Sequence, residues 1–497
     1  MTSMILAVDQ GTTNTKALLV DGDGQTHARA SVRMEIATPR SNWVEQDPLV
    51  IWQSVQQAIA ACLQIADGTP IAGLAISNQR ETVIAWDRAT GEPLAPAIIW
   101  QCRRSAAICE QLRRDGHEAL LRERTGLGID TLFSASKMRW LLENIAGLRE
   151  RADAGEVCFG TVDAWLIFKL TKGKVHACDA SNASRTQLLN LRTRAWDPEL
   201  LDLFQVPLAA LPTVQDSSHL FGDCTAISAL AGVPIVSAMG DSHAAMAGHG
   251  SYQPGTVKAT YGTGSSLMSL LPAFVSPQHG IATTIAWSLD GQPQYALEGN
   301  IAMTGAGVAW VGEFLGLADP VEDTIALAAS VPDSNGVFFV PAMSGLGAPW
   351  WDGRAQGNIS GLTRTSRAAH LARAAVEAIA FQIRDVFDAM SASLELPALH
   401  ADGGATRNES LMYFQAGLLG KPVVRSGCED LSALGAALFG GIALGWWKST
   451  DSLAALPRET KVFEATMPVA EREDRYTAWL GAVARARLQS NGGSDHA

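Results

Sequence analysis

The stretch Ile5-Leu6-Ala7-Val8-Asp9-Gln10-Gly11-Thr12-Thr13-Asn14-Thr15-Lys16 constrains this chain more than any other. Its apolar opening reads as a short buried strand, ended by an acid, a glycine and a run of hydroxyl and amide side chains. Ala17-Leu18-Leu19-Val20 is apolar again and stops at Asp21-Gly22-Asp23-Gly24, a turn signal. Together they predict a β-hairpin whose first turn is polar and long. Gly11 lets the backbone come close to a ligand, Thr12, Thr13 and Asn14 offer donors to phosphate oxygens, and Lys16 adds a positive charge. Asp9, beside this cradle, suits a magnesium ion held through water. The same residues also suit an ordinary hairpin turn. The stretch is not a Walker loop, which needs Gly-Lys-Ser/Thr ahead of a helix.

A chain of 497 residues exceeds what one core supports, so two large domains are expected. A shift in composition near 250 divides them into 1–250 and 251–450, leaving 451–497 as a C-terminal helical tail whose last residues, Ser490 to Ala497, read as disordered. Apolar residues make up 47% and charged ones 18%, ample for a core. The net charge of −12 argues against nucleic acid or an anionic membrane as a partner. Seven cysteines form no Cys-x-x-Cys or Cys/His cluster, so neither a disulfide framework nor a zinc site is supported. No basic-then-apolar leader opens the chain and no apolar run nears the ~18 residues of a membrane span, so a cytoplasmic protein is expected.

Along the chain, Pro48 to Gln64 has helical spacing, with Pro48 in a first turn after Asp47. Ile71 to Ile76 is a buried strand running into Ser77-Asn78-Gln79-Arg80-Glu81-Thr82, and Val83 to Trp86 resumes the apolar run at once. Arg80 and Glu81 therefore stand at a strand end, where ligands bind in α/β domains, although adjacent Arg-Glu pairs are also common surface salt bridges. Ala97 to Gln101 is a further strand, and its Trp100 suits either a core or a ligand wall. Val233 to Ser237 leads to Asp241 at a strand-to-helix junction, a position equally suited to a helix cap. Gly255 to Ser266 is strand, Gly-Thr-Gly turn and strand, an echo of the opening hairpin that predicts an internal duplication. Met303 to Leu315 reads as a helix, and Ser366 caps another running to Met390. Ala401 to Ala405 places glycines between a strand and a helix, where backbone can approach a flat ring or phosphate and Asn408 can donate to it. Leu431 to Trp447 is an Ala/Gly-rich helix.

Three glycine-centred turns in this order, at 9–16, 262–264 and 402–404, resemble those of actin-like ATPases. FSASKMRWLLEN at 133–144 and GNISGLTRTSRAAHLARAAVE at 357–377 resemble the two signatures of the FGGY carbohydrate kinases. Within that family DQGTT, SNQRET, IIWQCRR, FGTVDAWLI, SNASRT, YGTG, YALEG and SGLGAPWWD, collinear over essentially the whole chain, are similar to motifs of the glycerol kinases. The resemblance implies an α/β fold of two actin-like, ribonuclease-H-like ATPase domains with the substrates in the cleft between them. It implies ATP and Mg2+, a small polyol or sugar as acceptor, and a homodimer or homotetramer.

By the same resemblance Asp241 is the catalytic base and Asp9 the acid near magnesium, with Asp241 beside the metal as well. Arg80, Glu81 and Trp100 hold the acceptor, together with Leu132, Ser242 and Ser266. Thr12, Thr13, Asn14 and Lys16 line the phosphates, while Thr263, Gly305, Gly404 and Asn408 contact the nucleotide. Leu132 and Ser266 depart from the glycerol kinase pattern, which carries tyrosine and phenylalanine there, and Ser242 and Ala309 replace glutamines. The implied reaction is phosphorylation of a terminal hydroxyl, glycerol to glycerol 3-phosphate. A kinase for a tetritol, ketotetrose or pentulose is the first alternative, and a non-catalytic actin-like ATPase the second.

Overall fold

The computed structural model describes residues 3–66 and 68–488, so the segment Ser490 to Ala497 lies outside the described residues. Two open sheets repeat one plan. The first holds β1 (Met4–Gln10), β2 (Asn14–Val20), β3 (Thr26–Arg33), β4 (Ile71–Asn78), β5 (Ser218–Asp223) and β6 (Pro234–Gly240), in the order β5-β6-β4-β1-β2-β3. Strands β1, β4 and β6 are parallel, while β2, β3 and β5 run against their neighbours. The second holds β7 (Val257–Tyr261), β8 (Ser265–Leu270), β9 (Ala282–Leu289), β10 (Gln292–Ile301), β11 (Leu399–Asp402), β12 (Val423–Ser426) and β13 (Thr460–Phe463). Their order is β9-β10-β8-β7-β11-β12-β13. Here β7, β11 and β12 are parallel, and the others antiparallel to their neighbours. Apart from the added outer strand β9, the two sequences of pairings are the same. The duplication expected from the two polar hairpins is thus present in the topology, and the fold is the two-unit, actin-like α/β arrangement.

Helices α1 (Pro48–Ile65), α2 (Asp241–Gly248), α3 (Gly305–Phe314), α4 (Glu322–Ala329), α5 (Ala368–Ser391), α6 (Glu409–Leu419), α7 (Leu431–Ala443) and α8 (Val469–Leu488) accompany the sheets. Strand β1 shows why its sequence is a continuous apolar run. Leu6 and Val8 pack with Ile51, Val55 and Ile59 of α1, whereas Ile5 and Ala7 pack with Leu434 and Leu438 of α7. A strand covered on both faces has no side left for polar residues. Helix α1 starts as expected: the Asp47 carboxylate accepts the Leu49 N–H at 2.8 Å, and Pro48 takes the first turn. Helix α5 instead uses the N–H of Arg367, which donates to His370 Nδ1 at 3.1 Å, so the cap falls one residue beyond Ser366.

Helices α2 and α7 occupy equivalent places, each following the last parallel strand of its own sheet, and they cross between the two sheets. Their contact surfaces are small residues. A Cβ at Gly435 would stand 1.8 Å from the Ala244 carbonyl oxygen, and one at Gly248 would stand 2.4 Å from that of Leu431. Backbone therefore touches backbone at the crossing. Around it, Ala75 and Met239 of the first sheet and Met268 and Leu270 of the second share one apolar cluster with α2 and α7. The cluster ties residues on both sides of position 250 into one core.

Residues 451–488 do not form a separate tail. Strand β13 closes the edge of the second sheet, and α8 buries Trp479, Ala482, Val483 and Ala486 in that sheet's core. The many charges of α8 lie on its other face and mask this stripe in the sequence. No helix among the described residues is long and apolar enough to cross a membrane. One prediction follows from the crossing. Gly435→Val should lower the thermal unfolding midpoint, with destabilisation of at least ~1–3 kcal/mol from overpacking. A midpoint equal to that of the parent protein would show that α2 and α7 are not in this contact.

Candidate active site

The parallel strands of the first sheet all deliver polar groups at their C-terminal ends, the usual ligand edge of an open α/β sheet. Asp9 stands near the end of β1, opposite Ser77 on β4, whose hydroxyl donates to Asp9 Oδ1 at 2.9 Å. Burial pushes the Asp9 carboxyl up to about 6, the pull of Lys16 opposes this, and the charge of Asp241 adds to the rise. Asp241 opens α2 at the end of β6. Its carboxylate is about one-third exposed, accepts from Arg80 Nε at 3.0 Å and caps the Ser242 N–H at 2.6 Å. Gly240 makes that approach possible, since a Cβ there would lie 2.7 Å from Arg80 Cγ and Cδ.

After β1 the chain turns through Gly11 to Asn14, closed by the Gly11 N–H donating to the Asn14 carbonyl at 3.0 Å. Gln46 Nε2 fixes the Thr12 carbonyl at 2.7 Å, and Trp100 Nε1 donates to Thr12 Oγ1 at 2.9 Å. Trp100 is half-buried against the hydroxyl-rich turn. Lys16 faces Asp9 across β1 and β2 but makes its ion pair with Asp430, at 3.0 Å. Burial works against its charge, yet Asp9 and Asp430 together raise its pKa above the ordinary lysine value.

Arg80 and Glu81 are not a surface pair. Glu81 is buried with φ of 61°, a left-handed conformation that a side chain as long as glutamate seldom adopts and that is found where function demands it. Its carboxylate accepts from Arg185 Nε at 2.7 Å. Arg80 Nη1 makes a short ion pair with Glu298 of β10, and Arg185 Nη1 lies 2.7 Å from the other oxygen of Glu298. Glu298 and Arg185 are both 0% exposed. Burial alone would raise the Glu298 pKa, but the two guanidinium groups hold it well below the carboxylate range. Lys137, pushed down to about 8 by burial, donates to the carbonyls of Glu81 (3.1 Å) and Leu132 (2.5 Å) and stitches this turn to the next loop. Leu132 packs with Leu127, Phe133 and Ala282, and the Arg185 guanidinium sits 5.1 Å above the Phe133 ring.

Ser266 of β8 lies on the same face of the second sheet as Glu298, its hydroxyl donating to Glu298 Oε1 at 3.3 Å. Ser242 donates to Ser266 at 2.9 Å, and the buried Lys258 of β7 donates to Ser242 at 2.5 Å and to Thr260 at 2.8 Å. Asp241, Ser242, Ser266, Arg80 and Glu81 thus converge on one place between the sheets.

The second hairpin repeats the first, with the Gly262 N–H donating to the Gly264 carbonyl at 3.0 Å. Thr263 at its tip is exposed, and its carbonyl accepts from the Ala306 N–H at 3.0 Å. A Cβ at Gly305 would meet the Gly262 carbonyl oxygen at 2.7 Å, so the start of α3 needs glycine to lie on this turn. At Gly404 a Cβ would meet nothing, and no protein neighbour accounts for that glycine. Asn408 caps α6, its Oδ1 accepting the Leu411 N–H at 3.2 Å, and it lines a small cavity with Ile325 of α4, Arg373 of α5 and Phe414. Among the described residues no cluster of three or more histidine, cysteine, aspartate or glutamate side chains forms a metal cage.

Arg185, Glu298 and Lys258 carry much of this geometry, yet their roles are invisible in the composition around them. The available signal is a charge in an otherwise apolar strand, Glu298 in Tyr295-Ala296-Leu297-Glu298 and Lys258 in Val257-Lys258-Ala259. Glu298→Gln should remove the carboxylate that Arg80 and Arg185 share, leaving them Asp241 and Glu81 alone, a loss of about 3–5 kcal/mol read by urea unfolding. Unchanged stability would mean that water already solvates the cluster.

Comparison with known proteins gives the family. The FGGY family of carbohydrate kinases, N-terminal domain, matches residues 4–248, and the family's C-terminal domain matches 257–444. An apulose kinase of Pectobacterium atrosepticum is 48% identical over 98% of this chain and 99% of its own. Glycerol kinase 2 of Thermotoga maritima is 45% identical over 97% and 98%. The crystal structure of Plasmodium falciparum glycerol kinase with ADP superposes with a TM-score of 0.89 at 31% identity, covering 98% of both chains. The chain belongs to the FGGY family of carbohydrate kinases and is an ATP-dependent sugar or polyol kinase.

Proposed function

We propose that this enzyme transfers the terminal phosphoryl group of ATP to a terminal hydroxyl of a small polyol, with glycerol giving glycerol 3-phosphate. The observation that carries the reading is the part-exposed Asp241 carboxylate at the ligand edge of β6, oriented by Arg80 at 3.0 Å and near enough to Asp9 for its charge to help raise the Asp9 pKa. Phosphoryl transfer needs positioning and charge neutralisation more than covalent help, so one carboxylate near the attacking hydroxyl suffices to take its proton. Arg80 and Glu81 offer donors and an acceptor to neighbouring hydroxyls, and Trp100 offers a face to the C–H side of the acceptor. Residues 1–250 supply the acceptor and phosphate contacts. Residues 251–450 supply the nucleotide contacts, with Thr263, Gly305, Gly404 and Asn408 around the base and phosphates. The open space at Gly404 and the cavity beside Asn408 support that division.

Mg2+ fits the donor set. Asp9 and Asp241 are near enough for the charge of Asp241 to help raise the Asp9 pKa to about 6, a repulsion that a dication relieves. Two carboxylates with waters and phosphate oxygens are a usual magnesium environment. When bound, the ion would neutralise charge on the phosphates; Asp9 and Asp241 are the residues that would hold it. A cytoplasmic homodimer or homotetramer belongs to the same reading.

A specific observation favours a second acceptor class. Leu132 and Ser266 stand where the glycerol kinase pattern has two aromatic rings, and Ser266 is partly exposed beside Ser242. A wall without those two rings, and with the Ser242 and Ser266 hydroxyls, suits a C4 or C5 polyol or ketose, and a relative named for apulose supports this reading.

An ADP-release assay with and without C3 to C5 polyols and ketoses tests both readings. Asp241→Asn should lower kcat ~10²–10⁴-fold while ATP still binds; full turnover would leave Asp241 only a helix cap. Leu132→Tyr combined with Ser266→Phe should move kcat/KM toward glycerol, since lost contacts of this kind are worth ~1–3 kcal/mol each. If the parent protein already prefers glycerol across the panel, the larger-acceptor reading falls and the first stands.

A further inference from the structure

Lys258 and Glu298 end a chain of four groups whose direction is fixed by chemistry. An ammonium can only donate and a carboxylate can only accept. Lys258 Nζ donates to Ser242 Oγ (2.5 Å), Ser242 to Ser266 Oγ (2.9 Å) and Ser266 to Glu298 Oε1 (3.3 Å). Both ends are 0% exposed, so water does not compete for them. Burial lowers the Lys258 pKa to about 8, with Asp402, Asp241 and Glu298 opposing the fall, and the ammonium form prevails at neutral pH. Glu298 is held ionised by Arg185 and Arg80.

Sheet register sets the same four groups side by side. Lys258 pairs with Met268, and Met268 with Glu298, so all three share one face of the second sheet, with Ser266 two residues along. Ser242 reaches that face from the first turn of α2, next to Asp241. Each serine hydroxyl has one proton and two lone pairs. The chain uses both protons and one lone pair of each oxygen. The wall is left with one lone pair on Ser242, one on Ser266 and no free proton.

We propose that Lys258 is a positioning residue that turns the Ser242 and Ser266 protons away from the cleft, so that this wall selects an acceptor presenting a hydroxyl proton there and excludes one presenting a carbonyl or ether oxygen. The inference rests on the acceptor reading given above. Its consequence is a donor requirement at one non-reacting hydroxyl of the acceptor. A fluorine has the size and lone pairs of a hydroxyl but no proton, so it fails at that position as badly as hydrogen does.

The test uses glycerol and erythritol with their monofluoro and monodeoxy analogues, one non-reacting hydroxyl replaced at a time. In the parent enzyme one position should lose about 10–100-fold in kcat/KM with either replacement, the loss expected when a hydrogen bond at a desolvated site goes unmade. In Lys258→Met the Ser242 oxygen loses its fixed donor and its proton is free to turn toward the cleft, so the fluoro-to-hydroxyl ratio at that position should rise several-fold. A general loss of structure lowers both rates alike and leaves the ratio unmoved. Should Lys258→Met fail to fold, Ser266→Ala carries the same test, because it removes one of the two lone pairs and cuts the chain from Glu298. The inference is overturned if the parent enzyme accepts fluorine at every position, or if the folded variants keep the parent ratio. No turnover with any alcohol of the C3 to C5 panel would overturn the acceptor reading itself, and this inference with it.

Discussion

Taking Glu298 out of water carries a penalty of several kcal/mol that only close positive partners can offset. Arg80 comes from the loop after β4 and Arg185 from the segment after Asp179, whereas Glu298 lies on a strand of the second sheet. Each of the three charges is offset in part by the others, with Asp241 and Glu81 completing the compensation of the arginines, so their pairing holds the junction of the two units in one arrangement. The arrangement then aims everything else. With Nη1 anchored by Glu298, Arg80 has Nε left to direct at Asp241. With Nη1 of Arg185 on Glu298, its Nε is left for Glu81. The charged groups around Asp241 are preorganised because they already compensate one another.

The second constraint is steric. Helices α2 and α7 touch at glycine, and their contact fixes the distance between the sheets. Asp241 starts α2 and Asp430 immediately precedes α7. Asp430 holds Lys16 of the first hairpin and Asp241 pairs with Arg80, so the duplicated helices each place a carboxylate beside a cation of the first unit. Duplication thus supplies two similar helix starts, and the pairing of each acid decides its use.

What was legible in the sequence is what depends on local pattern. The hairpin turns at 9–16 and 262–264, the caps of α1 and the strand-end position of Arg80 and Asp241 follow from spacing and turn chemistry alone. The illegible part is non-local. Arg185 and Glu298 are more than a hundred residues apart, and a single charge inside an apolar strand does not say which partner neutralises it. The ion pair of Lys16 with Asp430 joins residues more than four hundred positions apart and is likewise absent from local pattern. The charged surface of α8 hid the stripe that makes residues 451–488 part of the second core. The cap that Asn408 makes on α6 depends on where that helix begins.

The two sheets also divide the work in a way that bears on how acceptors are told apart. Asp9, Arg80, Glu81 and Asp241 all stand at ends of the first sheet or just beyond them, and they are fixed by hydrogen bonds and ion pairs that a change in acceptor would disturb little. The opposing wall comes from the face of β7, β8 and β10, where Lys258, Ser266 and Glu298 sit in neighbouring strands. A substitution at Ser266 alters the volume and polarity of that wall without touching Arg80 or Asp241 directly. Because Ser266 also donates to Glu298, any replacement there changes the environment of the carboxylate that anchors Arg80. On the proposed acceptor reading, acceptor size is then tuned from the second sheet, within the limit that the anchor of Arg80 tolerates the change.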